Sequence, residues 1–218
     1  MKSTLRVLGL VVVLVLVQAE PKDKDKGHDH EPQCEGLKKT IKEEQLHEVE
    51  GVWVAIWAVS DGPKGQSLLP NVTSSRLKLN HLNNNTLHYY EENLYRGQVF
   101  NCSYFEMNLT VVKGGEKHDL TLETHEGVGE YEGKVAPFHD NVTISFFRSC
   151  DHCLTMIFRS DGWNNFFLIY RREGHHAEVE AAKKEHGAFH KRAECLGFPT
   201  EPAFHYDGTS GFCHKEHS

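Results

Sequence analysis

Glu50-Gly-Val-Trp-Val-Ala-Ile-Trp-Ala-Val-Ser60 is the stretch on which the reading of this 218-residue chain turns. It is a run of β-branched, aromatic and small apolar residues of strand length, opened by the pair Gly51-x-Trp53. Cys34 stands 17 residues before that glycine. After it, turn signals alternate with β-type runs, which place strands near 51–60, 73–81, 86–92, 98–112, 117–125, 141–148, 153–160 and 164–171. Strands this short and this evenly spaced predict a barrel or a sandwich. The stretch 126–140 reads either as a loop or as the holder of the fifth strand.

Strand parity assigns faces. Side chains alternate across a strand, and a sequon asparagine must face solvent. Asn108 therefore turns Cys102, Tyr104 and Glu106 outward with it, and leaves Ser103, Phe105, Met107 and Leu109 inside. By the same argument Asn141, Thr143 and Ser145 point out, and Val142, Ile144 and Phe146 point in. Phe166 to Tyr170 is apolar on both faces, as expected where something covers the wall. The cover follows in sequence. His175 to Leu196 reads as a helix with Val179, Ala182, Phe189, Ala193 and Leu196 on one stripe and Gly197 as its stop. After Pro199 comes a short extended piece, Ala203 to Tyr206.

The ends set the compartment. Residues 1–19 read as a secretory signal, with Lys2 and Arg6 basic, Val7 to Val17 apolar, and Val17-Gln-Ala19 a small-residue cleavage site. No later segment approaches the roughly 18 apolar residues a membrane span needs. The mature chain, near 20–218, is expected to be soluble and extracellular. Residues 20–33 form a charged leader with nothing to bury, expected to be disordered; residues 34–213 form one domain and 214–218 a polar tail. Removing Lys2 and Arg6 takes the formal charge from −7 to −9, which argues against nucleic acid or an anionic membrane as partner. Six cysteines in an exported chain imply disulfides. Five sequons, at Asn71, Asn84, Asn101, Asn108 and Asn141, imply N-glycans. Asn101 is the poorest acceptor, because its middle residue is Cys102.

The order of these features resembles the lipocalins. Gly51-x-Trp53 heads the first strand, short strands follow, and one helix and a late cysteine close the chain. The resemblance implies an all-β fold: an eight-stranded antiparallel up-and-down barrel with one C-terminal α-helix packed on its outside. Cys34, Cys102, Cys195 and Cys213, with Asn101-Cys-Ser-Tyr104, Trp163 to Tyr170 and Ala193-Glu-Cys-Leu196, are similar to the α1-acid glycoprotein (orosomucoid) branch. That branch includes the fish tributyltin-binding and saxitoxin- and tetrodotoxin-binding plasma proteins. The pairing it implies is Cys34–Cys195 and Cys102–Cys213; four cysteines by themselves allow three connectivities. Cys150 and Cys153 depart from that pattern. In an exported barrel their expected role is a local bridge pinning a hairpin, and redox or zinc chemistry is the alternative.

The resemblance also implies a site. Gly51 and Trp53 would close the barrel base. Trp57, two pleats higher with the parity of Trp53, would begin the cavity, joined by Phe105, Met107, Phe146, Met156, Phe158, Leu168 and Tyr170. Such a lining suits a lipophilic or cationic amphiphilic ligand carried by a monomer, with no cofactor. Nothing resembles a nucleophile elbow, and no cysteine lies between 34 and 102, where the catalytic lipocalins carry theirs, so an enzyme is not expected. Histidine, with 16 copies, is the compositional outlier. His186 and His190 are a helical i, i+4 pair that can grip a metal, but spacing places no third ligand. Two rival readings follow: histidine-based sequestration of a metal or an organotin, and an acute-phase immunomodulator acting through glycans.

Overall fold

The computed structural model describes residues 40–97, 101–113 and 119–213. The expected export signal, leader, Cys34 and tail lie outside the described residues, as do the side chains of Asn101 and Val179. Eight strands form the wall: β1 (Gly51–Ser60), β2 (Val72–Asn83), β3 (Thr86–Tyr95), β4 (Asn101–Val111), β5 (Thr121–Tyr131), β6 (Lys134–Cys150), β7 (Cys153–Ser160) and β8 (Phe166–Arg172). Each pairs antiparallel with the next, β8 returns to β1, and β1 also pairs with β2, so the cylinder is closed. Closure leaves no long edge to template aggregation.

The ambiguous stretch 126–140 is neither a loop nor a separate strand. It is the tip of one long hairpin, the end of β5 and the start of β6, with Tyr131 opposite Lys134. Its two turn residues, Glu132 and Gly133, have φ of 51° and 73°. That is the mirror-image turn whose twist suits a hairpin. Glutamate is a poor residue for its first position, which is why the turn does not announce itself in sequence.

A short helix α1 (Pro63–Leu68) lies in the β1–β2 connection, and the long helix α2 (Val179–Cys195) covers the outer wall. Gly197, at φ 78°, stops α2 as expected. Ala182, Phe189 and Ala193 from α2 pack on Trp57, Ile157, Phe167 and Ile169 in a core layer separate from the barrel interior. A ninth strand, β9 (Ala203–His205), pairs with the upper half of β1, Trp57 to Val59, while β2 holds only the lower half, Gly51 to Val54. β1 thus parts from one neighbour and joins another midway along its length.

That change carries a β-bulge. Opposite β8 the register runs Ala55↔Tyr170 and then Trp57↔Ile169, so Ile56 is an extra residue on β1. One extra residue inverts every face beyond it. Trp53 and Ala55 belong to the barrel interior, whereas Ile56, Trp57 and Val59 belong to the layer under α2. The expectation that Trp57 floors the cavity is therefore overturned. Its ring, 0 % exposed, lies 5.9 Å from Phe167 and 6.0 Å from Phe189, outside the barrel.

The lower end is closed by a 3-10 helix, Glu43–Val49, whose Leu46 and Val49 are buried in the interior core. The Trp53 indole N–H donates to the Val49 carbonyl at 2.8 Å, and the Arg172 guanidinium lies 4.2 Å from the ring centroid. Gly51 has φ 116°, and a Cβ there would stand 2.5 Å from Arg172 Nη1, so only glycine lets the arginine close over the tryptophan. Cys102 is bridged to Cys213 and Cys150 to Cys153. Cys195 is also disulfide-bonded, and its expected partner Cys34 lies outside the described residues.

Candidate functional site

The inward face of β3 is unlike the rest of the interior. Leu87, Tyr89, Glu91, Asn93 and Tyr95 alternate toward the barrel axis, and Glu92 turns out to pair with Arg76 at 2.6 Å. β4 sets the level of each, with Met107 opposite Tyr89, Phe105 opposite Glu91, and Ser103 opposite Asn93. Glu91 thus brings a carboxylate into a barrel whose other inward groups are apolar, aromatic or uncharged polar. The Tyr89 hydroxyl donates to one of its oxygens and the Asn93 amide donates to the other at 2.6 Å. Among the described residues no cationic side chain pairs with it.

Burial pushes the Glu91 carboxyl above the usual carboxylate range, and the hydrogen bonds from Tyr89 and Asn93 offset part of that rise. The phenols of Tyr89 and Tyr170 are pushed up by burial and then by the Glu91 charge, so both remain protonated donors. Tyr95 is pushed up to about 12, chiefly by burial, and its hydroxyl lies 3.1 Å from Ser103 Oγ. The Tyr170 hydroxyl is buried and has no hydrogen-bond partner among the described residues. A buried donor left unpaired costs about 1–3 kcal/mol, a cost that a polar atom entering the barrel would remove.

Toward the end opposite Trp53 the interior loosens. Tyr95, Phe105, Phe158 and Phe166 point inward yet are only half-buried, and Glu91 is half-buried as a residue although its carboxylate is enclosed; Met107, Phe146, Met156, Leu168 and Tyr170 below them are buried. Seven of the eight expected lining residues are on the inner face, and Trp57 is not. Glu91, Tyr89, Asn93 and Tyr95 are the members that the sequence reading missed. Two recesses elsewhere are surface grooves between ion-paired side chains. One, about 280 Å³, lies at the closed end beside the Glu48–Arg148 pair, and the other, about 220 Å³, lies on the outer wall beside Arg76 and Glu92.

Asn71, Asn84, Asn108 and Asn141 are exposed, as glycan acceptors must be. His186 and His190 lie on α2, where no group of three ligands stands gathered around a metal position among the described residues.

No family model matches the chain. Over 184 residues it is 36% identical to saxitoxin and tetrodotoxin-binding proteins 1 and 2 of Takifugu pardalis, a match covering 84% of this chain and 45% of each relative. The chain therefore spans about half the length of the curated relatives it matches. Among solved structures, the siderocalin Ex-FABP superposes with a TM-score of 0.50 at 11% identity, over 77% of this chain and 99% of its own. A biogenic amine-binding protein superposes with a TM-score of 0.52 at 9% identity, over 79% and 85%. At such identity these two likenesses bear on the fold alone.

Proposed function

We propose that this chain, a lipocalin barrel in its fold, is a secreted carrier that takes one small lipophilic or cationic amphiphilic molecule into the barrel. The carrying observation is Glu91: a carboxylate desolvated among tyrosines, held by neutral donors only, beside an unpartnered Tyr170 hydroxyl. A cation with an apolar body answers both features. Its charge replaces the missing counter-ion, and its body meets Phe105, Phe158 and Phe166 at the mouth and Met107, Phe146, Met156 and Leu168 below. The names of the Takifugu relatives support a small organic toxin as the class of cargo. An organotin cation is a further member of the charged lipophilic class. Export through the signal at residues 1–19, glycans at the exposed sequons and a monomeric state complete the reading, and the disulfides agree with an extracellular setting.

The test uses a matched pair of dyes, a quaternary alkylammonium fluorophore and its uncharged carbon isostere, titrated into the purified secreted protein. The cation should bind at least tenfold more tightly, near one to one, and Glu91→Gln should remove that preference. Equal binding of the two dyes, or a preference that survives the substitution, rejects Glu91 as the anchor. Extraction of the native protein followed by mass spectrometry identifies the resident cargo. The acute-phase alternative, acting through glycans, predicts instead that activity disappears on enzymatic deglycosylation while dye binding persists.

A further inference from the structure

The geometry points to a second binding site, outside the barrel, in which His186 and His190 of α2 and His205 of β9 take one divalent transition-metal ion of the zinc, copper or nickel type. It is independent of the cargo reading and rests on the chain's outer layer.

His186 and His205 meet where α2 passes β9. Their ring centroids are 5.0 Å apart and their planes cross at 51°. Two imidazoles on one tetrahedral ion, each with its nitrogen about 2.0–2.1 Å from the metal, carry their centroids about 5 Å apart. The centroid separation therefore matches that of two ligands of one ion, and binding needs the ring nitrogens to turn toward a common point. Among the described residues, no hydrogen bond or carboxylate ion pair engages the ring nitrogens of His186, His190 or His205. Their donor atoms are therefore uncommitted.

The two elements are fixed by separate packing. β9 is held by its ladder on β1, with His205 opposite Trp57. α2 is held by Phe189 and Ala193 in the layer with Trp57, and the His186 ring lies 5.8 Å from that of Phe189. A site with ligands on two rigid elements loses little entropy on binding. His190 follows His186 by one helical turn, on the same face, and its ring lies 5.6 Å from Trp57. Three ligands do not yet surround one point, so His190 completes the set by turning its side chain toward the pair. Glu201 adds a favourable charge within reach of His186 and His205, and Lys183 opposes it at His186. An all-imidazole donor set selects zinc, copper or nickel over calcium or magnesium, which prefer oxygen. His186 was open to a sequence reading; His205 was not, because only the β1–β9 ladder brings residue 205 beside the helix.

The test exploits Trp57. Cu2+ bound at His190 lies beside that indole and should quench it, whereas Ca2+ should not. The full secreted protein also carries His28, His30, His214 and His217, so a variant with those four changed to Ala is titrated in parallel. One equivalent of Cu2+ should quench saturably in both proteins, and Zn2+ should compete. His186→Ala and His205→Ala should each weaken the first equivalent at least tenfold, with little further loss in the double variant, and His205→Gln should behave like His205→Ala. His186 and His205 are at least partly accessible, and an unchanged unfolding midpoint in the metal-free variants certifies the fold. Quenching abolished by the four terminal substitutions, or undiminished by His186→Ala and His205→Ala, overturns the site.

Discussion

Replacing Glu91 by Gln should make the empty protein more stable and the carrier worse. The carboxylate is desolvated, and its compensation in the apo state is two neutral donors, Tyr89 and Asn93. Gln keeps an acceptor for one of them and removes the charge, so the net gain at neutral pH is about 1–2 kcal/mol, the balance of a desolvated charge against one weakened hydrogen bond. For a domain of this size that is a rise of roughly 2–8 °C in Tm. The sign of the pH dependence follows from the raised folded-state pKa. The folded state holds its proton more tightly than the unfolded chain, so the residue favours folding below the ordinary carboxylate range. Its contribution declines as pH rises through the raised value. Calorimetry from pH 4 to 8 should show wild-type stability losing ground to Glu91→Gln as pH rises. In the same variant a bound cation loses its counter-charge, which should cost about 2–4 kcal/mol of binding, roughly 30- to 1,000-fold in Kd. A variant that is less stable at pH 7 and binds the cationic dye as well as wild type would refute the reasoning at both ends.

Trp57→Ala should destabilise the fold by about 3–5 kcal/mol through the cavity left under α2, yet leave dye affinity unchanged in the folded fraction; a selective loss of binding would return Trp57 to the interior. Gly51→Ala forces a positive φ and a clash with Arg172, and should lower stability by about 1–3 kcal/mol in urea unfolding, with Arg172→Ala relieving part of it. Tyr170→Phe removes an unpaired buried donor, so the empty protein should be unchanged or up to about 1 kcal/mol more stable, whereas a cargo bearing an acceptor should bind less tightly. Non-reducing peptide mapping of the secreted protein should find Cys34 joined to Cys195 and glycan on Asn108; an unmodified Asn108 would count against export through a glycosylating pathway, since that side is solvent-facing.

Most of the wall was legible because a half-buried strand repeats every two residues. Gly51–Ser60 and Cys153–Ser160 were delimited to the residue, and the inward sets of β4 and β6 followed from the position of one asparagine in each. The site was less legible. Glu91-Glu92 reads locally as a solvated pair, and nothing in the string His-Tyr-Tyr-Glu-Glu-Asn-Leu-Tyr tells which glutamate turns in. The register against Phe105 and Met107 settles that, and it depends on a neighbouring strand.

By itself the sequence determined a cysteine-rich chain of short alternating strands covered by one amphipathic helix, because these properties depend on local period and composition. Only the tertiary structure decided where Trp57 lies, which glutamate faces the axis and which residue joins His186. Alternation counts faces correctly as long as a strand keeps its register. β1 leaves β2 for β9 halfway up a closing cylinder, and at the same level it adds Ile56 with no opposite number on β8. One unpaired residue is a product of closure, which no local pattern records, and it moves every side chain beyond it to the other face.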